Sequence, residues 1–184
     1  MNPNLKWKLL VLVDCLAAIF GRLLAPFVVP FANVKGWLPS WLSWFQTPDN
    51  SLDGDGGWVK EHWQWRYKFS SKLSTYIGRV GWLWRNNMYG FSINVLGAKV
   101  LTTDAIVVTG DILTSDRPAH SGQVTREVFR RGKLIYFQKY TVVVYKFFPS
   151  RCFRKNIGWK LWDFDGTEKN IQYAAYINPL KGAY

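Results

Sequence analysis

The chain has 184 residues, of which 48% are hydrophobic and 20% are charged. This length and composition exclude a disordered chain and leave room for one domain with a core plus an appendage. The formal net charge of +12 favours an anionic partner, such as phospholipid, nucleic acid or an acidic protein.

The first predicted element is an apolar helix over residues 9–25, a segment without proline. One side of this helix carries small and polar residues at helical spacing: Asp14, Ala17, Ala18, Gly21, Arg22 and Ala25. The other side is apolar from Leu9 to Phe27. Three of the small residues are four apart, a spacing that lets another helix approach closely. We therefore predict that the small side packs against a partner helix.

The length of this helix leaves its relation to a membrane open. A helix over residues 9–25 is about 25 Å long, slightly short of a hydrocarbon core of about 30 Å. Pro26 and Pro30 predict that the helix ends or kinks there. A tilted span, a re-entrant element, an in-plane insertion and burial in a protein assembly are all compatible with this pattern.

A short second helix is predicted after Pro39, which suits the first turn of a helix. Large apolar side chains would share one side of it: Trp37, Leu38, Trp41, Leu42 and Phe45. This pattern predicts a helix lying in a membrane interface. The alternative is a helix packed on the protein's own sheet or on a neighbouring subunit.

An acidic loop follows over residues 46–57 and reads QTPDNSLDGDGG. Five of its residues match successive ligand and turn positions of a calcium loop: Asp49, Ser51, Asp53, Gly54 and Asp55. The match fails at the bidentate acid, since Lys60 occupies that position and Glu61 comes one residue late. A turn stabilised by its own side chains is favoured over a Ca²⁺ site, and no other cofactor is predicted.

The chain has too few histidines for most histidine-based sites. Only His62 and His120 are present, which excludes a histidine-rich metal site. His62 lies between Glu61 and Trp63, a setting typical of a packed, hydrogen-bonded histidine rather than a catalytic one. We therefore predict no catalytic residues and a protein that is not an enzyme.

From about Gly97 the pattern changes to a period of two. It predicts strands over 99–102, 105–113, 123–130, 134–147, 152–164 and 170–177. Arg131, Gly132 and Lys133 predict a hairpin turn. Because no helix separates these strands, they predict an antiparallel meander, either an open sheet or a small barrel. The predicted fold class is therefore α+β.

Basic residues are concentrated in this half of the chain. We predict that eight of them form a surface for an anionic partner: Arg126, Arg130, Arg131, Lys133, Arg151, Arg154, Lys155 and Lys160. Phe153, Trp159 and Trp162 lie among them, which would also suit single-stranded nucleic acid. A basic solvent face over an aromatic core face explains the same alternation and is favoured over nucleic-acid binding.

Several motifs carry a family resemblance: FQTPDNSLDGDGGW at residues 45–58, EHWQWR at 61–66 and YIGRVGWLWRN at 76–86. With them, the sequence from Trp41 onward resembles an uncharacterised family of small proteins encoded by tailed bacteriophages. The resemblance implies a phage origin. It implies no activity and no site residues.

Together these patterns predict three segments: an apolar helical hook over residues 1–45, a Trp-rich connector over 46–96 and an antiparallel β domain over 97–184. The predicted function is that of a non-enzymatic phage accessory protein at the host inner membrane, mainly on its cytoplasmic face. Its expected partners are membrane lipid or a membrane or virion protein, in a homo- or hetero-oligomer. The alternatives are a virion component with the helix buried between subunits and, third, a metal-dependent activity at the acidic loop.

Overall fold

A computed structural model describes residues 2–55, 64–116 and 118–183. It confirms the α+β class, with a long N-terminal apolar helix, short helices and antiparallel sheets. The chain forms two compact units. The helical unit comprises residues 13–95, and the sheet unit comprises residues 1–12 and 96–184. The predicted division into three segments was drawn from composition and remains a prediction.

Among the described residues, the helices are α1 (Pro3–Val28), α2 (Ser71–Arg85) and α3 (Tyr89–Asn94). The same residues also form four 3-10 segments: Val29–Phe31, Ser40–Phe45, Gln64–Lys68 and Leu161–Asp163. The predicted short helix after Pro39 is therefore a 3-10 turn, and α2 and α3 lie where a connector was predicted.

Helix α1 is longer at both ends than the predicted range of 9–25. Proline is tolerated in a first turn, so Pro3 can begin the helix. Pro26 lies inside it, where proline leaves the carbonyl four residues earlier without its helical donor. That carbonyl belongs to Arg22, and the indole N–H of Trp84 donates to it at 2.9 Å. This replacement hydrogen bond explains why the helix continues past Pro26.

The helical unit has its own apolar core, made of residues from α1, the following loop and α2: Ala25, Val28, Val29, Leu42, Leu52, Trp82 and Leu83. The acidic loop enters this core through Leu52, which is fully buried. Gly54 follows with a φ of +73°, and a Cβ there would collide with the Trp82 ring. Glycine is therefore required where the loop crosses the Trp82 side chain.

In the part of the sheet unit that the structure describes there are nine strands: β1 (Ala98–Val100), β2 (Ala105–Gly110), β3 (Ser115–Asp116), β4 (Ala119–His120), β5 (Gly122–Arg130), β6 (Lys133–Val144), β7 (Arg151–Trp159), β8 (Lys169–Ile171) and β9 (Tyr173–Gly182). Five of them form an antiparallel sheet in the order β2-β5-β6-β7-β9, while β1 pairs with β8 and β3 with β4. The large sheet is an open meander, so the small-barrel alternative is wrong.

The predicted hairpin turn joins β5 to β6. Arg130 pairs with Lys133, and Arg131 and Gly132 between them have φ angles of 51° and 73°. Two residues with positive φ are typical of the turns whose twist matches paired strands. The predicted strands over 134–147 and 152–164 were too long, since β6 ends at Val144 and β7 at Trp159.

An aromatic cluster fixes the first turns of α1 within the sheet unit. The indole N–H of Trp7 donates to the Ala174 carbonyl at 2.9 Å, and the Tyr173 hydroxyl donates to the Trp7 carbonyl at 3.0 Å. Buried Trp159 contacts the rings of Phe137 and Tyr173 edge to face. These hydrogen bonds and ring contacts stabilise the helix before Leu9, where the apolar periodicity of the sequence does not predict one.

An ion pair between a buried carboxylate and a partly exposed arginine stabilises the sheet unit. The Asp104 side chain is inaccessible to solvent and accepts hydrogen bonds from Arg130 at 2.7 Å and from the Leu101 N–H at 2.9 Å. The hydrogen bonds from Arg130 hold the pKa of Asp104 below its ordinary value, against the opposing effect of burial. Arg130 also donates to the Lys99 carbonyl, so the pair connects β5 to β1.

Replacing Asp104 with alanine should lower the free energy of unfolding of the sheet unit by about 2–4 kcal/mol, because Arg130 and the Leu101 N–H lose their acceptor. Glu168→Ala is the control, since its ion pair with Lys99 is exposed and should contribute less than about 1 kcal/mol. Urea titration measures the free energy of unfolding of both variants.

The contribution of Asp104 to the free energy of unfolding should be complete above about pH 4 and lost as pH falls further, because its folded pKa is lowered. Equal losses in the two variants would contradict this assignment.

Candidate functional site

The most distinctive surface is an exposed apolar face on α1 and the turn after it. It consists of Val13, Leu16, Ile19, Phe20, Leu23, Leu24, Phe27 and Phe31, which we call the apolar face. Phe27 is 71% exposed. The segment Pro3–Phe31 is long and apolar enough to cross a membrane, with only 11% of its most apolar window buried. Most of this segment is therefore exposed within the part of the chain that the structure describes.

The small side of α1 packs within its own unit. The Asn87 amide donates to the Ala18 carbonyl at 2.6 Å, and Trp84 donates to the Arg22 carbonyl. Gly21 and Ala25 are buried, Asp14, Ala17 and Ala18 are half-buried, and Arg22 is exposed. A Cβ on Gly21 would collide with Asn87 and Met88. The close approach predicted from the small residues is therefore made by α2 and the residues after it, rather than by a separate partner helix.

The predicted interfacial residues divide between core and surface. Leu42 is buried in the core of the helical unit, with Leu38 and Phe45 packed against it. Trp37, Trp41 and Trp44 are exposed. The Trp41 ring meets Phe31 edge to face with centroids 5.4 Å apart. Trp41 therefore extends the apolar face, whereas Leu42 cannot.

A cationic, aromatic segment that leads into the first turn of α2 was not recognised from the sequence. Trp65, Tyr67 and Phe69 are exposed, as are Lys68 and Lys72. Aromatic rings with lysines are typical of membrane–water interfaces. The available signal was the absence of Asp and Glu from the whole stretch between Gln64 and Thr103.

The acidic loop directs its carboxylates to α2. Asp53 accepts from Arg79 through both oxygens at 2.7 and 3.0 Å, and Asp55 accepts from Arg85 at 3.3 Å. Arg79 also donates to the carbonyls of Asn33 and Val34. Asp49 is exposed and Ser51 is half-buried. Within the part of the chain that the structure describes, no three metal-ligating side chains come together. Lys60, Glu61, His62 and Trp63 lie outside that part.

Calcium should not raise the melting temperature, because Asp53 and Asp55 are already paired with arginines. A ligand raises the melting temperature only when it binds the native state. Asp53→Ala should instead lower the melting temperature to the same extent with or without Ca²⁺, since Arg79 loses its partner. Asp49→Ala is the matched control, because Asp49 is exposed in the same loop. Thermal melts in millimolar Ca²⁺ and in chelator test both expectations. A calcium-dependent rise that Asp53→Ala abolishes would support a Ca²⁺ site instead.

The eight predicted anion-binding residues do not share one surface. Arg154 is buried, Arg126, Lys155 and Lys160 are half-buried, and burial lowers the pKa of Arg126. Arg130 is held by Asp104. Successive residues of a strand face opposite ways, so Arg154 and Lys155 lie on opposite faces of the sheet. The exposed cations of the set are in the hairpin turn or at the first residue of a strand: Arg131, Lys133 and Arg151.

Comparisons with known proteins place the chain in a family without giving it a function. No curated protein matches it, and no solved structure matches it. One family profile matches residues 1–184, the full length of the sequence. The chain belongs to that family, the family of unknown function DUF7338.

Proposed function

We propose that this protein is a non-enzymatic bacteriophage accessory protein that associates with the host inner membrane through the apolar face. The observation that carries the proposal is the exposure of large aliphatic and aromatic side chains along one side of α1. The phage setting follows from the sequence resemblance alone.

Energetics favour covering this face. Removing a leucine or phenylalanine side chain from water contributes about 1.5–3 kcal/mol. The apolar face carries eight exposed apolar side chains, and a contiguous exposed apolar patch of large side chains is typical of a protein–protein or membrane interaction site. The exposed rings of Trp37, Trp41 and Trp44 add side chains of the kind that concentrate at the level of lipid headgroups.

The packing of α1 favours an in-plane helix over a span. Along the small side, α2 and the residues after it contact α1 from Ala18 to Pro26, whose carbonyl accepts from the Tyr76 hydroxyl. A span through this segment would carry α2, with Arg79 and Arg85, towards the hydrocarbon core. Both arginines are paired with aspartates of the acidic loop, and moving such ion pairs from water into hydrocarbon carries a large desolvation cost. An in-plane helix avoids this cost because only its apolar side enters lipid.

Fractionation of cells that express the full chain tests the proposal. The protein should sediment with the inner membrane and remain there in high salt, because salt strips purely electrostatic attachment but not apolar insertion. Release into the soluble fraction would contradict membrane insertion. Recovery in purified phage particles, with no membrane-bound pool, would favour a virion component with the same face buried between subunits.

A further inference from the structure

An open surface depression of about 450 Å³, which we call the cavity, lies beside the first turn of α2 in the helical unit. One wall is apolar and includes Val29, Pro30 and Val34. The other wall carries polar and cationic side chains, among them Lys72, Thr75 and Arg79. The cavity therefore offers apolar surface and positive charge to the same ligand.

The two cations of the cavity differ in what they already contact. Arg79 is neutralised by Asp53 and donates to two backbone carbonyls. Lys72 is exposed and makes no ion pair with any carboxylate among the described residues. Because no Asp or Glu occurs between Gln64 and Thr103, nothing in that stretch competes for its charge. Within the described residues, the charge of Lys72 is therefore available to an anion.

The apolar wall is continuous in sequence with the apolar face. Val29, Pro30 and Val34 flank Phe31, the last residue of that face. If the apolar face lies in lipid, the cavity opens where that face ends, at the level of the headgroups. A ligand there would present a phosphate to Lys72 and acyl chains to Pro30 and Val34.

We propose that this cavity binds the phosphodiester headgroup of an anionic glycerophospholipid. Lys72 contacts the phosphate, the Thr75 hydroxyl donates to it, and the apolar wall receives the first methylene groups of the acyl chains. This assignment rests on the proposed membrane function. It adds selectivity among lipids to general membrane attachment.

Vesicle binding by four variants of the full chain separates a site from diffuse attraction. Binding is measured on phosphatidylcholine vesicles with and without phosphatidylglycerol, at one ionic strength. Lys68→Gln is the matched control, because Lys68 is exposed in the same unit but outside the cavity lining. It should weaken binding to anionic vesicles about fivefold, the effect of one surface cation. Lys72→Gln should weaken that binding at least about twentyfold, because a charge-assisted hydrogen bond is also lost.

The remaining variants keep the charge. Lys72→Arg should retain the preference for phosphatidylglycerol. Thr75→Phe fills the cavity and removes no charge, and it should reduce the preference at least about tenfold if the headgroup enters the cavity. Thr75 is exposed, so a thermal melt should show an intact fold. If Lys72→Gln and Lys68→Gln weaken binding equally and Thr75→Phe changes nothing, the vesicles are bound by diffuse electrostatic attraction and the proposed headgroup site is wrong. That result would leave the proposed membrane association intact.

A soluble probe tests the cavity independently of insertion. Dihexanoyl phosphatidylglycerol, below its micellar concentration, should shift the backbone amide resonances of Lys72 and Thr75. Inorganic phosphate should shift them much less. Equal effects of the two probes would indicate a free-anion site and overturn the lipid assignment. Shifts with the soluble lipid, together with no binding to any vesicle, would retain the cavity assignment and contradict the proposed function.

Discussion

Replacing Gly21 with leucine is expected to destabilise the helical unit by about 3 kcal/mol or more. A Cβ at this position already collides with Asn87 and Met88, and the leucine side chain extends further into the same space. Overpacking of this kind costs about 1–3 kcal/mol, and more where backbone must shift. The Asn87 hydrogen bond to Ala18 should be lost at the same time. Urea-induced unfolding of the full chain measures the change.

Ile19→Leu is the control, because Ile19 is exposed on the opposite side of α1. It should change the free energy of unfolding by less than about 0.5 kcal/mol. If both variants are as stable as the wild type and only Gly21→Leu loses a binding partner, the small side of α1 faces another protein, and the packing described here is wrong.

Replacing Leu23 and Phe27 together with glutamine is expected to weaken vesicle binding about 150-fold without loss of stability. Both side chains are more than 60% exposed, so the fold does not depend on them. Their combined transfer into lipid contributes about 3 kcal/mol when burial is partial. Binding to neutral phosphatidylcholine vesicles, followed by co-sedimentation, measures the effect without contributions from anionic lipid.

The matched control replaces Ile112 and Leu113 with glutamine. These residues are equally exposed but lie in a loop of the sheet unit. The control variant should bind vesicles like the wild type. Equal weakening in both double variants would show that attachment does not depend on the apolar face.

The α+β class and the hairpin at Arg131 and Gly132 could be predicted because each depends on local pattern. Alternation of apolar residues predicts strands, and a short basic–glycine turn predicts their pairing. The ends of α1 could not be predicted in this way. Trp84 lies far along the sequence from Arg22, yet its hydrogen bond offsets the effect of Pro26.

Helix α2 was missed because small residues make up much of its buried side. Ser74, Gly78 and Gly81 are buried there beside Trp82 and Leu83, so large apolar residues mark only the end of the buried side. The roles of Asp53 and Asp104 were also hidden. Their arginine partners are distant in sequence, and a pattern of acids alone does not distinguish a metal ligand from one half of an ion pair.

The central claim is that α1 lies in the plane of the membrane with its apolar face in lipid. Spin labels on single cysteines at Leu16, Phe20, Leu23 and Phe27, in a background with Cys15→Ser and Cys152→Ala, measure depth through relaxation by oxygen and by an aqueous nickel complex. The account predicts similar depths of about 5–10 Å at all four positions. A label at Arg131, in an exposed turn of the sheet unit, should remain in water. A depth that changes by about 16 Å from Leu16 to Phe27 would indicate a span. Labels that remain as accessible to the nickel complex as in vesicle-free solution would contradict membrane contact altogether.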